Sequence, residues 1–192
     1  MARFLTTVDA IGAEQWSEQV SDDWTVRQLV AHVVRGMSVI SDYLDAGSPQ
    51  TGVLLPDAST YFRVALDGEG VHAGIAGRAV AAADGAGDDM SSWARDVAGT
   101  AVARVRATGD DEVLVHFAGP LRFIDYLDTR TTELVLHTLD IQLACGLELD
   151  VPADALAIVN GVLLALTDRA DPVALALALS GRSGPRGTNV LG

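Results

Sequence analysis

TTELVLHTLD, residues 131–140, is a strongly apolar, helix-forming run that carries Glu133 and His137 four positions apart. On an α-helix four residues turn the chain by about 400° and rise by about 6 Å, so both side chains lie on one face, one turn apart. A carboxylate and an imidazole so placed can share one divalent metal ion. A third protein ligand has to come from elsewhere in the chain, leaving a position for water or substrate. His32, on an earlier helical stretch, is the candidate.

The run belongs to a longer helix, expected from Arg122 to Cys145, with Gly146 as its stop. Its apolar side includes Ile124, Leu127, Leu134, Val135, Leu139 and Ile141. Tyr126, Arg130, Glu133, His137 and Asp140 form the remaining stripe, all within about 80° of one another. An ordinary amphipathic helix carries a charged stripe because that stripe faces water. Periodicity alone leaves both readings open.

His32 stands on a helix expected from Thr25 to Ala46. Thr25 and Gln28 fit a capping box, Trp24 and Leu29 a hydrophobic staple, and Gly47 the C′ position. The apolar stripe is Val26, Leu29, Val30, Val33, Met37, Ile40 and Leu44. His32 falls about 110° from its centre, on a flank shared with Gly36 and Val39. A boundary or solvent-facing histidine is the plain alternative. Gly36, one turn later, allows another helix or a ligand to approach that flank.

Other elements follow from periodicity and breakers. Residues 4–20 read as a first helix broken at Ser21-Asp22-Asp23, and residues 48–59 as a loop. Tyr61 to Ala83 reads as a helix weakened by Gly68, Gly70, Gly74 and Gly77. Met90 to Ala107 reads as a cleaner helix with Ser91 as a cap. Glu112 to Phe117 is a short strand and Ala118-Gly119-Pro120 a turn. Asp150 is placed to cap a helix running to Leu166, which Asp171-Pro172 stops; Val173 to Leu179 is a short strand or a last helical turn. His72 reads as structural or exposed, and His116, on the strand, points either towards a site or towards solvent. Residues 1–182 are expected to form a single domain and 183–192 a flexible tail.

Composition excludes some partners. Thirteen basic residues, all arginine, against 26 acidic ones give a formal charge of −13 over 192 residues. That surface argues against nucleic acid and anionic membranes. No apolar run reaches the roughly 18 residues of a membrane span, and no signal peptide is apparent, so a cytoplasmic location is expected. The alanine- and leucine-rich C-terminal segment is compatible with a homodimer. Cys145 is the sole cysteine, so no internal disulfide forms. It lies at a helix C-terminus, which disfavours a thiolate. A thiol reagent, if used, is expected to arrive as a ligand.

Three segments together resemble one family: Trp24-Thr-Val-Arg-Gln-Leu-Val-Ala-His32, Thr129-Arg-Thr-Thr-Glu133-Leu-Val-Leu-His137-Thr-Leu-Asp140, and Leu179-Ser-Gly-Arg182. They are similar to the mycothiol-dependent maleylpyruvate isomerase family of the DinB-like metal-binding superfamily, over about residues 4–182. The resemblance implies a mainly α fold: a DinB-like four-helix bundle with one or two short strands and an extra C-terminal helix. It implies a divalent metal, usually zinc, on His32, Glu133 and His137, with Asp140 as a supporting acidic partner. Mycothiol would be the thiol cosubstrate. The chain stops soon after Gly181-Arg182, so most of the separate C-terminal domain of longer relatives is expected to be missing.

The leading expectation is a mycothiol-dependent transferase or isomerase acting on a small electrophile through a metal-activated thiolate. Arg130 would hold a substrate carboxylate, unless it serves a structural ion pair, and Arg182 is a further candidate for the same work. Two other readings use the same site: a zinc hydrolase with metal-bound water, in which Asp140 would have to turn inward as base, and a non-catalytic metal-binding or dimerisation module.

Overall fold

Thr25 starts the helix on which the rest of the fold packs. Its hydroxyl accepts the Gln28 N–H at 3.3 Å, while the Gln28 side chain accepts the Thr25 N–H at 2.9 Å. The expected capping box therefore opens α2 (Val26–Asp45). The computed structural model describes residues 1–21, 24–47, 52–167 and 171–180. It is mainly helical, with one two-stranded sheet. Before α2 come α1 (Ala2–Asp9) and a 3-10 turn (Ala13–Ser17); after it come α3 (Ala58–Ala65), α4 (Val71–Gly85) and α5 (Met90–Arg106). The antiparallel hairpin of β1 (Val113–His116) and β2 (Gly119–Arg122) leads into α6 (Phe123–Ala144), α7 (Ala153–Ala165) and α8 (Pro172–Leu179).

The bundle forms where α4, α5 and α6 pack around α2. Val26, Val30 and Val34 of α2 are fully buried, and alanines at 79, 83, 94 and 98 let α4 and α5 approach closely. Arg27 pins the end of α4 by donating to the carbonyls of Ala83 at 2.9 Å and Gly87 at 2.6 Å. Gln142 ties three segments together: its amide donates to the Thr7 hydroxyl and the Asp150 carbonyl and accepts the Asp150 N–H, each at 3.0 Å.

Several boundaries differ from expectation, each for a local reason. The first helix stops at Asp9, because Gly12 is extended and its N–H is taken by Gln15 Oε1 at 2.8 Å. The helix expected over 61–83 is two helices. Gly70 has φ +75°, a left-handed conformation that no right-handed helix continues through. The first of them begins early, at Ala58, because Asp57 accepts the Thr60 N–H at 2.7 Å. Asp89, not Ser91, caps α5 by accepting the Ser92 N–H at 2.9 Å. Asp150 does not cap α7; its carboxylate pairs with Arg3 and its backbone is held by Gln142.

The hairpin turn falls one or two residues early, at Phe117-Ala118, so that Gly119 and Pro120 are already in β2. Proline cannot donate to a ladder, but the Pro120 carbonyl accepts the Leu55 N–H at 2.7 Å from outside it. Residues 172–179 are a helix, and Asp171-Pro172 starts it instead of ending the pattern. The Asp171 carboxylate accepts from Val173 and Ala174 N–H at 2.8 and 3.2 Å, and proline suits the first turn. Arg182 and the expected tail 183–192 lie outside the described residues. No helix among the described residues is long and apolar enough to cross a membrane.

Candidate metal centre and the adjoining cavity

Of the two helices that carry the predicted ligands, α2 opens on its capping box, whereas α6 starts at Phe123 without a side-chain cap. Gly146, at φ +63°, ends the chain's longest helix. What the sequence left open was which side of α6 faces inward. The buried positions include Phe123, Tyr126, Val135 and Ile141 together with Thr129, Thr132 and Thr138. Threonine is tolerated there because its hydroxyl bonds back to the helix, as Thr138 does to the Leu134 carbonyl at 2.6 Å. Ile124, expected on the apolar side, is 37% exposed. Tyr126, on the polar stripe, is 1% exposed. The stripe therefore faces the bundle, and its reading as a solvated surface falls.

His32, Glu133 and His137 come together from α2 and α6. One candidate ligand atom from each lies within 4.8 Å of the others. Glu133 Oε2 is 3.1 Å from His32 Nε2 and 3.5 Å from His137 Nε2. The three side chains are only 17%, 29% and 21% exposed respectively. Two imidazoles and a carboxylate match the donor set of three-ligand zinc sites, whose ligand bonds of about 2.0–2.2 Å need only slight inward movement from this spacing. Asp140 Oδ2 lies 3.0 Å from His137 Nδ1. That bond leaves Nε2 for a metal and orients the ring, the arrangement by which a carboxylate supports a histidine ligand. Trp24 roofs the group, its ring centroid 4.7 Å from His32 and 5.9 Å from His137, and its buried indole N–H has no partner among the described residues.

Electrostatics bind the triad into one unit. Burial works against a charge on Glu133, yet hydrogen bonding with His137 and His32 and the nearby Arg130 hold its carboxyl well below the usual range. Burial also opposes a charge on His137, but Asp140 and Glu133 outweigh it and lift its pKa to about 9. For His32 burial prevails and the pKa falls, although Glu133 pulls the other way. Glu133 is thus a carboxylate beside a protonated His137, and a metal held by this group would have to displace that proton.

Two cavities meet at this group. One, of about 310 Å³, is lined mainly by apolar side chains of α2, α5 and α6, including Met37 and Val105. The other, of about 490 Å³, runs between α2, α3, α4 and α6 and carries the polar groups. His32, Gly36, Arg130 and Glu133 line both. Arg130 of α6 packs on the Gly36 flank of α2: a Cβ at Gly36 would lie 3.4 Å from an Arg130 terminal nitrogen, an ordinary van der Waals contact. Arg130 is set by donating from Nε to the Thr129 hydroxyl at 3.1 Å and lies 5.2 Å from the Tyr126 ring centroid. Among the described residues no carboxylate stands within ion-pair distance of it, so the structural ion pair considered for it is not formed there.

Sequence reasoning missed the aromatic wall. Tyr61 and Tyr126 line the larger cavity with His116, which is 5% exposed. Tyr126 was legible by its position on the Glu133 stripe. Tyr61 and His116 lie on other elements and carry no spacing signal. His72 is exposed and Cys145 buried, as expected; burial raises the Cys145 thiol pKa.

Comparison with curated proteins and with solved structures returns no match. The sequence profile described as the mycothiol maleylpyruvate isomerase N-terminal domain matches residues 1–142, a span that holds His32, Glu133, His137, Asp140 and the cavity walls. With nearly three quarters of its length inside that profile, the chain belongs to the mycothiol maleylpyruvate isomerase N-terminal domain family.

Proposed function

We propose that the protein is a metal-dependent, mycothiol-dependent transferase or isomerase acting on a small electrophile, with residues 1–182 as one metal-binding domain. The observation that carries this reading is the convergence of His32, Glu133 and His137 beside a cavity of about 490 Å³. A divalent metal such as zinc, when bound, supplies the Lewis acidity that lets a thiol ionise at neutral pH. The chain's own residues do the rest. Asp140 holds the His137 ring, Trp24 closes one side, and the cavity admits the thiol and its partner. Arg130 presents a positive charge at the cavity wall and suits a substrate carboxylate. In a transfer, the thiol sulfur bonds to the electrophilic carbon as the leaving group departs with its electron pair. In an isomerisation, sulfur adds to an activated double bond, the former double bond rotates, and the same sulfur leaves.

The other two readings have less support. A hydrolase needs a free base near the site, and Asp140 is engaged with His137. A purely structural metal favours a closed ligand set, but only three residues form the ligand group among those described. Purification without a histidine tag, followed by elemental analysis, is expected to give about one metal per chain and none in His137→Ala. Incubation with mycothiol and a panel of electrophiles, read by mass spectrometry and by NMR for cis–trans change, is expected to yield a thiol adduct or a rearranged product. Metal-replete wild-type protein free of metal would remove the proposal. Hydrolysis of the panel without any thiol requirement would replace it.

A further inference from the structure

The larger cavity contains a hydrogen-bond relay that the metal group does not use. His116 lines this cavity, on β1. The Ala118 backbone N–H donates to His116 Nδ1 at 3.2 Å. A backbone amide can only donate, so Nδ1 is the unprotonated nitrogen and Nε2 carries the hydrogen. Nε2 lies 3.1 Å from the Tyr61 hydroxyl and therefore donates to it. An Arg130 terminal nitrogen, also donor-only, faces the same oxygen at 3.4 Å. The phenolic oxygen thus receives two donors, and among the described residues no acceptor meets its own hydrogen.

Tyr61 and Arg130 both line the cavity. The second terminal nitrogen of Arg130, beside Gly36, has no hydrogen-bond acceptor among the described residues. Two neighbouring groups thus have donor capacity to spare where no protein carboxylate answers them.

We infer that Tyr61 and Arg130 form a carboxylate-binding subsite, in which His116 directs the Tyr61 O–H towards the ligand and Arg130 supplies the charge. This rests on the proposed function for its consequence, not for its geometry. Arg130 stands three residues before Glu133, about 4.5 Å along the helix axis. The ligand class this subsite selects is accordingly a carboxylate over its isosteric amide, in the cavity that Tyr61, Arg130 and Glu133 all line. Tyr61 is suited to donate because burial pushes its pKa up to about 12, keeping the proton in place.

The test compares an acid with its isosteric amide. Crotonate and crotonamide are titrated by NMR into chelator-treated protein, so that no metal competes for the carboxylate. Wild type is expected to prefer the acid by about tenfold or more, the range of charge-assisted hydrogen bonds. Tyr61→Phe should cut crotonate affinity by about fivefold to tenfold and leave crotonamide unchanged. Arg130→Gln should abolish the preference in protein that still melts cooperatively. A Tyr61 whose role is only to fill space would weaken both ligands alike, and that result, or a wild type that does not distinguish them, overturns the inference. Metal content is measured on the same preparations before chelation. An acid preference in protein that takes up no metal keeps the subsite and sinks the metal reading; stoichiometric metal without the preference does the reverse.

Discussion

Asp140 touches no proposed substrate group, yet it decides how His137 presents itself. Removing its charge while keeping its shape, in Asp140→Asn, is expected to weaken metal binding by about 10- to 100-fold. Competition with a chromophoric chelator measures this, and an unchanged affinity would show that the 3.0 Å contact is incidental. His116 makes a second prediction at this scale. Burial, with the Arg130 charge, lowers its pKa from 6.5 to about 4. Unfolded chain therefore binds a proton that folded chain refuses between those values. The contribution to stability is whole above pH 6.5 and is lost as pH falls through 4. The ring carbon shift of His116, followed by NMR, should titrate near 4; a midpoint near 6.5 would contradict the buried, neutral relay.

Glycine divides the elements into those that need it and those that merely tolerate it. Gly70 bends the chain between α3 and α4 at φ +75°, so Gly70→Ala is expected to cost about 1 kcal/mol. Gly77 lies inside α4 with nothing within 4 Å of an added Cβ. Gly77→Ala should therefore stabilise by about 0.5–1 kcal/mol through helix propensity. Denaturant melts of the pair check the sign. A stabilising Gly70→Ala would mean that α3 and α4 are one continuous helix. Neither glycine belongs to the His32, Glu133 and His137 group, so neither change should alter metal stoichiometry.

For the whole molecule, the His32, Glu133 and His137 group joins α2 to α6, two of the helices of the bundle. Metal that binds only the folded chain stabilises it by mass action, about 2.7 kcal/mol at a hundredfold excess over Kd. The Tm should rise steadily with added zinc and fall back on chelation, while that of His137→Ala should not respond. A wild-type Tm indifferent to zinc would separate the triad from metal binding. The far end of the molecule differs in character. α7 and α8 leave Leu163, Leu164 and Val173 exposed, so little of the stability can come from α8.

Much of this protein was legible in local chemistry. Thr25 and Gln28 announced α2, Gly146 announced the end of α6, and the four-residue step from Glu133 to His137 announced a shared face. Each works within one element, where the 3.6-residue period and the unpaired N–H groups of a helix start dictate neighbours. Family resemblance, not periodicity, singled out His32, because its partner Glu133 is 101 residues away. Breaks such as Gly12 and Gly70 were only half visible, since glycine permits a turn without requiring one. Tertiary structure alone decided that the α6 stripe faces inward, and that Tyr61 and His116, 55 residues apart, meet beside Arg130. The reason is physical: a helix specifies which residues share a side, but only the elements packed against it determine whether that side meets water, a core or a cavity.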